Sequence, residues 1–274
     1  MSSASAARLR AALLRRSRAP VRGAQTARLH RGDGYEFMEL RAAVPGDDLR
    51  RIDWAASART GSLQTRVFSD ERGLLLAACI DASPSMQLGK DRSSYDLACE
   101  AARLWYAAAD GDDQCARLLT QGVRSSPGLR GRGAAAFCAQ PSPDAATLRA
   151  GLTIAAYALP RAASLLVVSD FFEIDELGGP LQTCAQRHDL TALVVRDPWH
   201  TIGLPLRGLV RLRDAESGRA VRIFIGAAQL ERYRRAVVAR EADVCARLRE
   251  FGARTALLET DVAGSLLGAF GVAS

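Results

Sequence analysis

Short, continuous apolar runs recur along the chain and alternate with longer segments of helical spacing. The apolar runs fall at residues 74–80, 164–168, 190–195 and 255–258, and a further strand is predicted at residues 116–120. Strands that are buried on both faces have this unbroken apolar character. The segments with apolar residues at helical intervals are 95–109, 144–156 and 229–251. Strands that alternate with helices predict an α/β fold, with a doubly wound, mainly parallel sheet and helices on both faces.

Two segments interrupt this alternation. Residues 121–133 are rich in Gly, Arg and Ser, a composition typical of a hairpin or of a flexible loop. Residues 207–221 carry the turn-forming run 214–218 at their centre, which predicts a hairpin rather than a chemical site.

Acidic and hydroxyl residues follow two of the predicted strands. Asp81, Ser83 and Ser85 alternate after the first run, and Asp170 follows the run that ends at Val168. Ligands of open α/β sheets bind beyond the carboxyl ends of the strands, so these side chains are expected to converge. Hard oxygen ligands suit Mg²⁺, or Mn²⁺ in its place, and leave a position for a partner's carboxylate. In the alternative interpretation, Asp81 and Ser83 only cap the helix that follows and satisfy amides of the turn.

Charge and cysteine content narrow the functional class. The chain has a formal charge of +7, but Lys90 is its only lysine and the arginines are spread along it. Because aromatic residues are also few, no nucleic-acid platform is expected. The six cysteines include no C-x-x-C pair, which argues against a zinc site and a disulfide framework. Residues 89–91 lack the surroundings of a nucleotide-binding P-loop.

Residues 1–32 are rich in Arg, Ala and Ser and contain no acidic residue. This composition resembles that of an organellar transit peptide, but a solvated basic helix with Leu9, Leu13 and Leu14 on one side is the preferred interpretation. No apolar stretch reaches the roughly 20 residues of a transmembrane helix. We therefore expect a soluble, cytoplasmic protein.

Several motifs together resemble those of one bacterial family. They fall at residues 34–41, 44–54, 57–59, 81–86 and 168–172. Through them the chain resembles the domain of unknown function 58 family, a branch of the von Willebrand factor A-like proteins, over most of its length. The sequence departs from the family's pattern at Ala42 and Ala43, where related sequences commonly carry an aromatic residue.

The resemblance implies a metal-ion-dependent adhesion site that binds magnesium. Asp81, Ser83, Ser85 and Asp170 match its motif positions. The site's usual threonine has no clear counterpart, because Thr147 and Thr153 both lack the expected Gly-rich context.

The resemblance also implies a non-enzymatic adaptor or co-chaperone that links a MoxR-type AAA+ ATPase to a client protein. Family members often carry membrane spans, so their absence here implies a soluble version that can still associate with a membrane complex. On this view the chain comprises a basic segment (1–32), a hallmark segment that packs on the main domain (33–72) and a von Willebrand factor A-like domain (73–274).

The hallmark segment is dense in alternating charges, which favours a network of charge-assisted hydrogen bonds. That network either fixes the segment to the domain or binds a partner. The candidate partner-binding residues are Arg41, Asp47, Asp48, Arg50 and Asp53. Trp54 is expected to anchor the segment in the core.

A metal-dependent phosphohydrolase is the alternative function. Asp81 would be its nucleophile and Asp170 a second metal ligand. Such enzymes usually need a lysine near the phosphate, and Lys90 is the sole candidate.

Overall fold

The computed structural model describes residues 3–17, 36–44, 52–69, 73–89, 92–119, 122–125, 131–138, 148–196, 208–213 and 218–272. Five residues singled out by the sequence lie outside these ranges: Asp47, Asp48, Arg50, Lys90 and Thr147. The chain divides into two compact units, one of residues 1–21 and 74–274 and the other of residues 22–73.

The described helices are α1 (Ser3–Ser17), α2 (Trp54–Thr60), α3 (Ser94–Ala107), α4 (Gly131–Cys138), α5 (Leu148–Ala158), α6 (Ile174–Arg187), α7 (Ala227–Glu250) and α8 (Val262–Gly268). The described strands are β1 (Glu36–Ala42), β2 (Gln64–Ser69), β3 (Leu75–Ile80), β4 (Gln114–Leu119), β5 (Gly122–Ser125), β6 (Ser164–Ser169), β7 (Asp189–Val195), β8 (Gly208–Arg213), β9 (Ala220–Ile225) and β10 (Arg254–Leu258).

The larger unit is built on a six-stranded sheet with the order β10-β7-β6-β3-β4-β5. Its first five strands are parallel, as the unbroken apolar runs predicted. The last strand, β5, pairs antiparallel with β4. The start of the Gly-rich segment 121–133 is therefore part of a hairpin rather than a flexible loop. The chain leaves β3 on one side for β4 and later returns to its other side at β6. This reversal of direction creates a crevice between the carboxyl ends of β3 and β6.

Helices cover both faces of this sheet. Leu166 and Val168 of β6 belong to one apolar cluster, together with residues of α1, α3 and α8. Leu165 and Val167 point the opposite way, into a second cluster with residues of α5, α6 and α7. Every residue of β6 is buried, so its continuous apolar sequence reflects contact with helices on both sides. The α/β class and the two helical layers are confirmed.

Helix α1 is part of this core rather than a solvated basic helix. Leu9 and Leu13 are completely buried. The Nε atom of Arg10 donates to Oδ2 of the buried Asp113 at 2.9 Å. The predicted helix and its apolar side are therefore confirmed, but its predicted solvation is wrong, since the leucines and one arginine find partners in the main domain.

The smaller unit contains the antiparallel pair β1–β2 and helix α2. Asp53, a candidate partner-binding residue, caps α2 by accepting a hydrogen bond from the Ala56 amide at 2.9 Å. The Arg41 guanidinium donates to the Ala42 carbonyl at 3.0 Å. Trp54 is 65% exposed, so the expectation that it anchors a core is wrong. As the first residue of α2, it has its position fixed by the Asp53 cap and not by burial.

The six cysteines are all free, and five are buried, as expected for small apolar side chains. Among the described residues, no helix combines the length and the apolar character needed to cross a bilayer.

Candidate functional site

Asp81 continues β3 beyond its last residue and is held firmly in the crevice. Its amide donates to the Val168 carbonyl of β6 at 2.9 Å, so the backbone pairing extends through this position. Its carboxylate accepts from the Ser83 amide through Oδ1 at 2.9 Å and from the Ser169 hydroxyl through Oδ2 at 2.6 Å. With only 8% of the residue exposed, the carboxylate has one fixed orientation.

The two serines of the motif are positioned by a short 3-10 turn, Pro84–Gln87. Met86 within this turn is fully buried and fastens the loop to the core. The Ser83 and Ser85 hydroxyls share a hydrogen bond of 3.1 Å. The Ser83 side chain makes no capping bond to the turn, which argues against capping as its role. The Asp81 carboxylate does satisfy one amide of the turn, that of Ser83, as the alternative interpretation expects. The two hydroxyls therefore lie beside each other, and the Ser85 hydroxyl also forms a hydrogen bond with the Asp170 carboxyl.

Asp170 follows β6 and lies on a sharply turned backbone. The buried Ser169 hydroxyl accepts from the Phe171 amide at 2.8 Å, while Asp170 Oδ1 accepts from the Phe172 amide at 3.0 Å. Phe171 has a φ of +49° and a completely buried ring. A left-handed conformation is unfavourable for a bulky residue and persists only where its surroundings enforce it. The turn buries Phe171 and leaves Phe172 71% exposed beside Asp170.

Burial raises the pKa of the Asp170 carboxyl above its ordinary value, and the nearby Asp81 carboxylate raises it further. Hydrogen bonds from the Ser85 hydroxyl and the Phe172 amide, and the charge of Arg240, act in the opposite direction. Among the described residues, no arginine or lysine forms an ion pair with either carboxylate. Since neither partly desolvated carboxylate is ion-paired within the described residues, a bound cation would stabilise both.

Helix α7 supplies the rim of this crevice. Arg240 donates to the Asp170 carbonyl at 3.4 Å, and its guanidinium carbon lies 4.7 Å from the centre of the Phe172 ring. A cation over an aromatic face is an attractive arrangement, so the arginine supports the exposed ring.

The sequence places Ser169 with Asp170 at a strand end but assigns it no role in the site, and it does not single out Phe172 or Arg240 as site residues. Ser169 and Phe172 lie within two positions of the predicted Asp170, so their roles could have been found from that proximity. Arg240 lies 70 positions from Asp170 in the chain, and only the packing of α7 brings it to the site.

The side chains that could bind a metal ion at this site offer only carboxylate and hydroxyl oxygens. Among the described residues, no three His, Cys, Asp or Glu side chains converge on one point. A metal ion held by Asp81 and Asp170 would therefore depend on hydroxyl oxygens for further ligands, a set that suits a hard cation. Thr153 does not contribute, because it is exposed on α5 and its hydroxyl donates to the Arg149 carbonyl at 2.8 Å.

Comparisons with known proteins place the chain among bacterial relatives. "Uncharacterized protein Rv1480" of Mycobacterium tuberculosis is 32% identical over 243 residues, covering 84% of this chain and 76% of the relative. "Uncharacterized protein Mb1516" of Mycobacterium bovis matches to the same extent. "Uncharacterized protein MAV169" of Mycobacterium avium is 35% identical over 96 residues, or 35% of this chain and 56% of the relative. No solved structure matches the chain.

The family model described as "Protein of unknown function DUF58" matches residues 39–243, which include both strand ends of the crevice. This match covers most of the chain, and the chain therefore belongs to the DUF58 family.

Proposed function

We propose that this protein is a von Willebrand factor A-like interaction module that holds a magnesium ion, or manganese in its place, and binds a partner protein through it. The observation that carries this proposal is the convergence of two carboxylates and two serine hydroxyls between β3 and β6. Asp81, Ser83, Ser85 and Asp170 would be the protein ligands. The cation would neutralise the two acidic groups and accept a carboxylate of the partner in a remaining position.

The protein's own residues prepare this site in two ways. Hydrogen bonds from Ser83 and Ser169 fix the Asp81 carboxylate, so little conformational freedom remains to be lost on binding. The Phe171 turn places an exposed aromatic ring immediately beside Asp170. A partner's acidic residue could therefore enter the crevice while neighbouring apolar residues contact Phe172.

The finer part of the proposal is a non-enzymatic adaptor or co-chaperone role beside a MoxR-type AAA+ ATPase, and it rests on what the resemblance to the DUF58 family implies. The functional class is then protein binding rather than hydrolysis. Absence of magnesium-dependent turnover of p-nitrophenyl phosphate would agree with this class, whereas turnover that is lost in Asp81→Asn would support the phosphohydrolase.

Asp170→Asn is expected to have opposite effects with and without metal. The folded-state pKa of Asp170 lies above its unfolded value. As pH rises through the folded pKa the carboxyl group ionises, and the metal-free fold loses stability relative to the unfolded chain. In EDTA at pH 7 the variant should therefore melt at an equal or higher temperature than the wild type. In 5 mM Mg²⁺ it should lose the metal-dependent rise in melting temperature, which is about 5–10 °C at saturation. A variant that is equally stabilised by Mg²⁺ would remove Asp170 from the proposed ligand set.

Phe172→Ala is expected to weaken partner binding without affecting the metal. Exposed aromatic residues at the centre of an interface commonly contribute about 2 kcal/mol or more, or roughly thirtyfold in affinity. The measurement is biolayer interferometry with the MoxR-type ATPase of the same genome, in Mg²⁺ and in EDTA. Tyr157→Ala is the matched control, because Tyr157 is 72% exposed on α5. Binding that is insensitive to Mg²⁺, or equal losses in both variants, would contradict the proposal.

A further inference from the structure

The hairpin β8–β9 forms a two-stranded sheet that is separate from the main sheet. It confirms the hairpin predicted from the turn-forming run 214–218. Several of its large apolar side chains are exposed, with Leu209 at 73%, Phe224 at 68% and Val221 at 58%. Isolated two-stranded hairpins are marginally stable in water unless an apolar face is covered. The exposed apolar surface therefore indicates a site of association.

The pleat divides the hairpin into two chemically different faces. On one face Leu209 is opposite Phe224 and Arg211 is opposite Arg222, with Arg213 one step further along β8. We call this the basic face. The other, aliphatic face is lined by Val210, Leu212, Val221, Ile223 and Ile225.

Two positively charged side chains lie opposite each other on the basic face. Arg211 and Arg222 are direct cross-strand partners, and like charges in this position destabilise a hairpin. Both are exposed, and neither forms an ion pair with a described residue. An acidic group placed between them would relieve this repulsion. The basic face is thus suited to an anionic ligand.

Much of the chain's positive charge lies in this region. Residues 208–240 contain eight arginines and three acidic residues, so they carry five of the seven net positive charges. The arginines continue from the hairpin into α7, where Arg232 and Arg234 are exposed. A field of this kind steers acidic partners toward the hairpin.

No described residue pairs with the backbone edges of the hairpin. Within the described part of the chain, no backbone hydrogen bond joins a residue of β8 or β9 to a residue outside the hairpin. Open strand edges accept an additional strand, whose backbone supplies affinity and whose alternate side chains supply specificity. A third strand here would place one set of side chains beside the arginines and the other set on the aliphatic face.

We propose that β8–β9 is a docking site for an extended segment of a partner protein in which acidic and aliphatic residues alternate. This pattern fits because acidic side chains would meet the basic face and aliphatic ones would extend the other face. A nucleic acid would leave the aliphatic face uncovered, whereas interfaces between proteins combine arginine with apolar residues. This docking goes beyond the metal-dependent function and requires no metal ion.

The test uses a fluorescein-labelled ten-residue peptide of alternating Glu and Val, with fluorescence anisotropy as the readout, in EDTA. In EDTA a failure of the metal-dependent function cannot affect the result. Arg211→Gln/Arg222→Gln should weaken binding at least about tenfold, since a close charge pair contributes this much or more. Because the double variant removes a repulsion, the hairpin itself should not be destabilised. Arg232→Gln/Arg234→Gln removes the same charge from α7 and should weaken binding only about two- to threefold.

A charge exchange completes the test. An alternating Lys–Val peptide should bind Arg211→Glu/Arg222→Glu and not the wild type. A peptide of the same composition with its Glu and Val residues in separate blocks should bind at least about tenfold more weakly than the alternating one, since it cannot satisfy both faces. Equal binding of the block and alternating peptides would overturn the proposal, as would preferential binding of single-stranded DNA or phosphatidylserine vesicles through the same arginines.

Discussion

Asp81→Asn is expected to abolish the magnesium-dependent stabilisation of this protein. A ligand that binds only the folded state stabilises it by about 2.7 kcal/mol at one hundred times its dissociation constant. For a domain of this size that corresponds to a rise of about 5–10 °C in melting temperature. Asparagine retains an oxygen acceptor for the Ser83 amide but places an NH2 group where Oδ2 accepts from the Ser169 hydroxyl, so each protein is compared with its own melting temperature in EDTA. Differential scanning fluorimetry over a Mg²⁺ titration measures the effect.

Asp175→Asn is the matched control for that experiment. Asp175 is an exposed acidic residue at the start of α6 that pairs with Arg247, so its replacement should leave the magnesium response unchanged. If Mg²⁺ shifts neither wild type nor Asp81→Asn, the loop has a structural role only. An equal shift in both proteins would place the metal elsewhere in the molecule.

Asp113→Ala is expected to cause the largest loss of stability of any single substitution considered. Asp113 is completely buried and accepts hydrogen bonds from the Leu74 amide at 2.7 Å, the Asp110 amide at 2.9 Å and Arg10 Nε at 2.9 Å. Its removal leaves backbone donors unpaired and one arginine without its partner. The free energy of unfolding should fall by about 3–5 kcal/mol. Urea denaturation followed by circular dichroism measures this change.

Arg10→Met separates the two contributions to that loss. It removes only the α1 partner, whose side chain is partly exposed, and keeps both backbone hydrogen bonds of Asp113. The expected cost is about 1–2 kcal/mol. A cost for Asp113→Ala no greater than that for Arg10→Met would mean that the backbone bonds contribute little and that the carboxylate serves mainly to dock α1.

Binding at the two proposed surfaces should respond differently to divalent cations and to salt. The crevice at Asp81 requires a divalent cation, whereas binding at the β8–β9 hairpin requires none and should weaken with added salt. Helix α7 begins one residue after β9 and reaches the crevice at Arg240, about 20 Å along its axis. One extended partner could therefore engage both surfaces, and EDTA would then remove only one of the two contributions to its affinity.

The pattern of apolar residues along the chain was sufficient to predict most strands of the main sheet. The runs that became β3, β6, β7 and β10 are apolar without interruption because helices cover both of their faces, so the sequence could predict a parallel sheet. The motif residues Asp81 and Asp170 were also accessible to the sequence, since each directly follows such a run. Local pattern is sufficient where burial and chain direction alone decide the structure.

The sequence misled where a side chain's environment depends on distant residues. The basic composition of α1 indicated a solvated helix, but Leu9 and Leu13 are buried, and Arg10 pairs with Asp113 103 positions away. Trp54 suggested a core anchor because tryptophan is usually buried, yet its place at the start of α2 leaves it exposed. Neither outcome is encoded in local spacing.

By itself, then, the sequence determined the α/β class, the parallel strands and the two strand ends that carry the acidic groups. Only the tertiary structure decided that Ser169 fixes Asp81, that Arg240 supports Phe172 and that two arginines with no described ion-pair partner face each other on β8–β9. The physical reason is the range of the interactions. Burial and backbone direction produce a periodic pattern of apolar residues in the sequence. A hydrogen bond or charge pair between distant residues depends on how the elements pack, and it produces no such pattern.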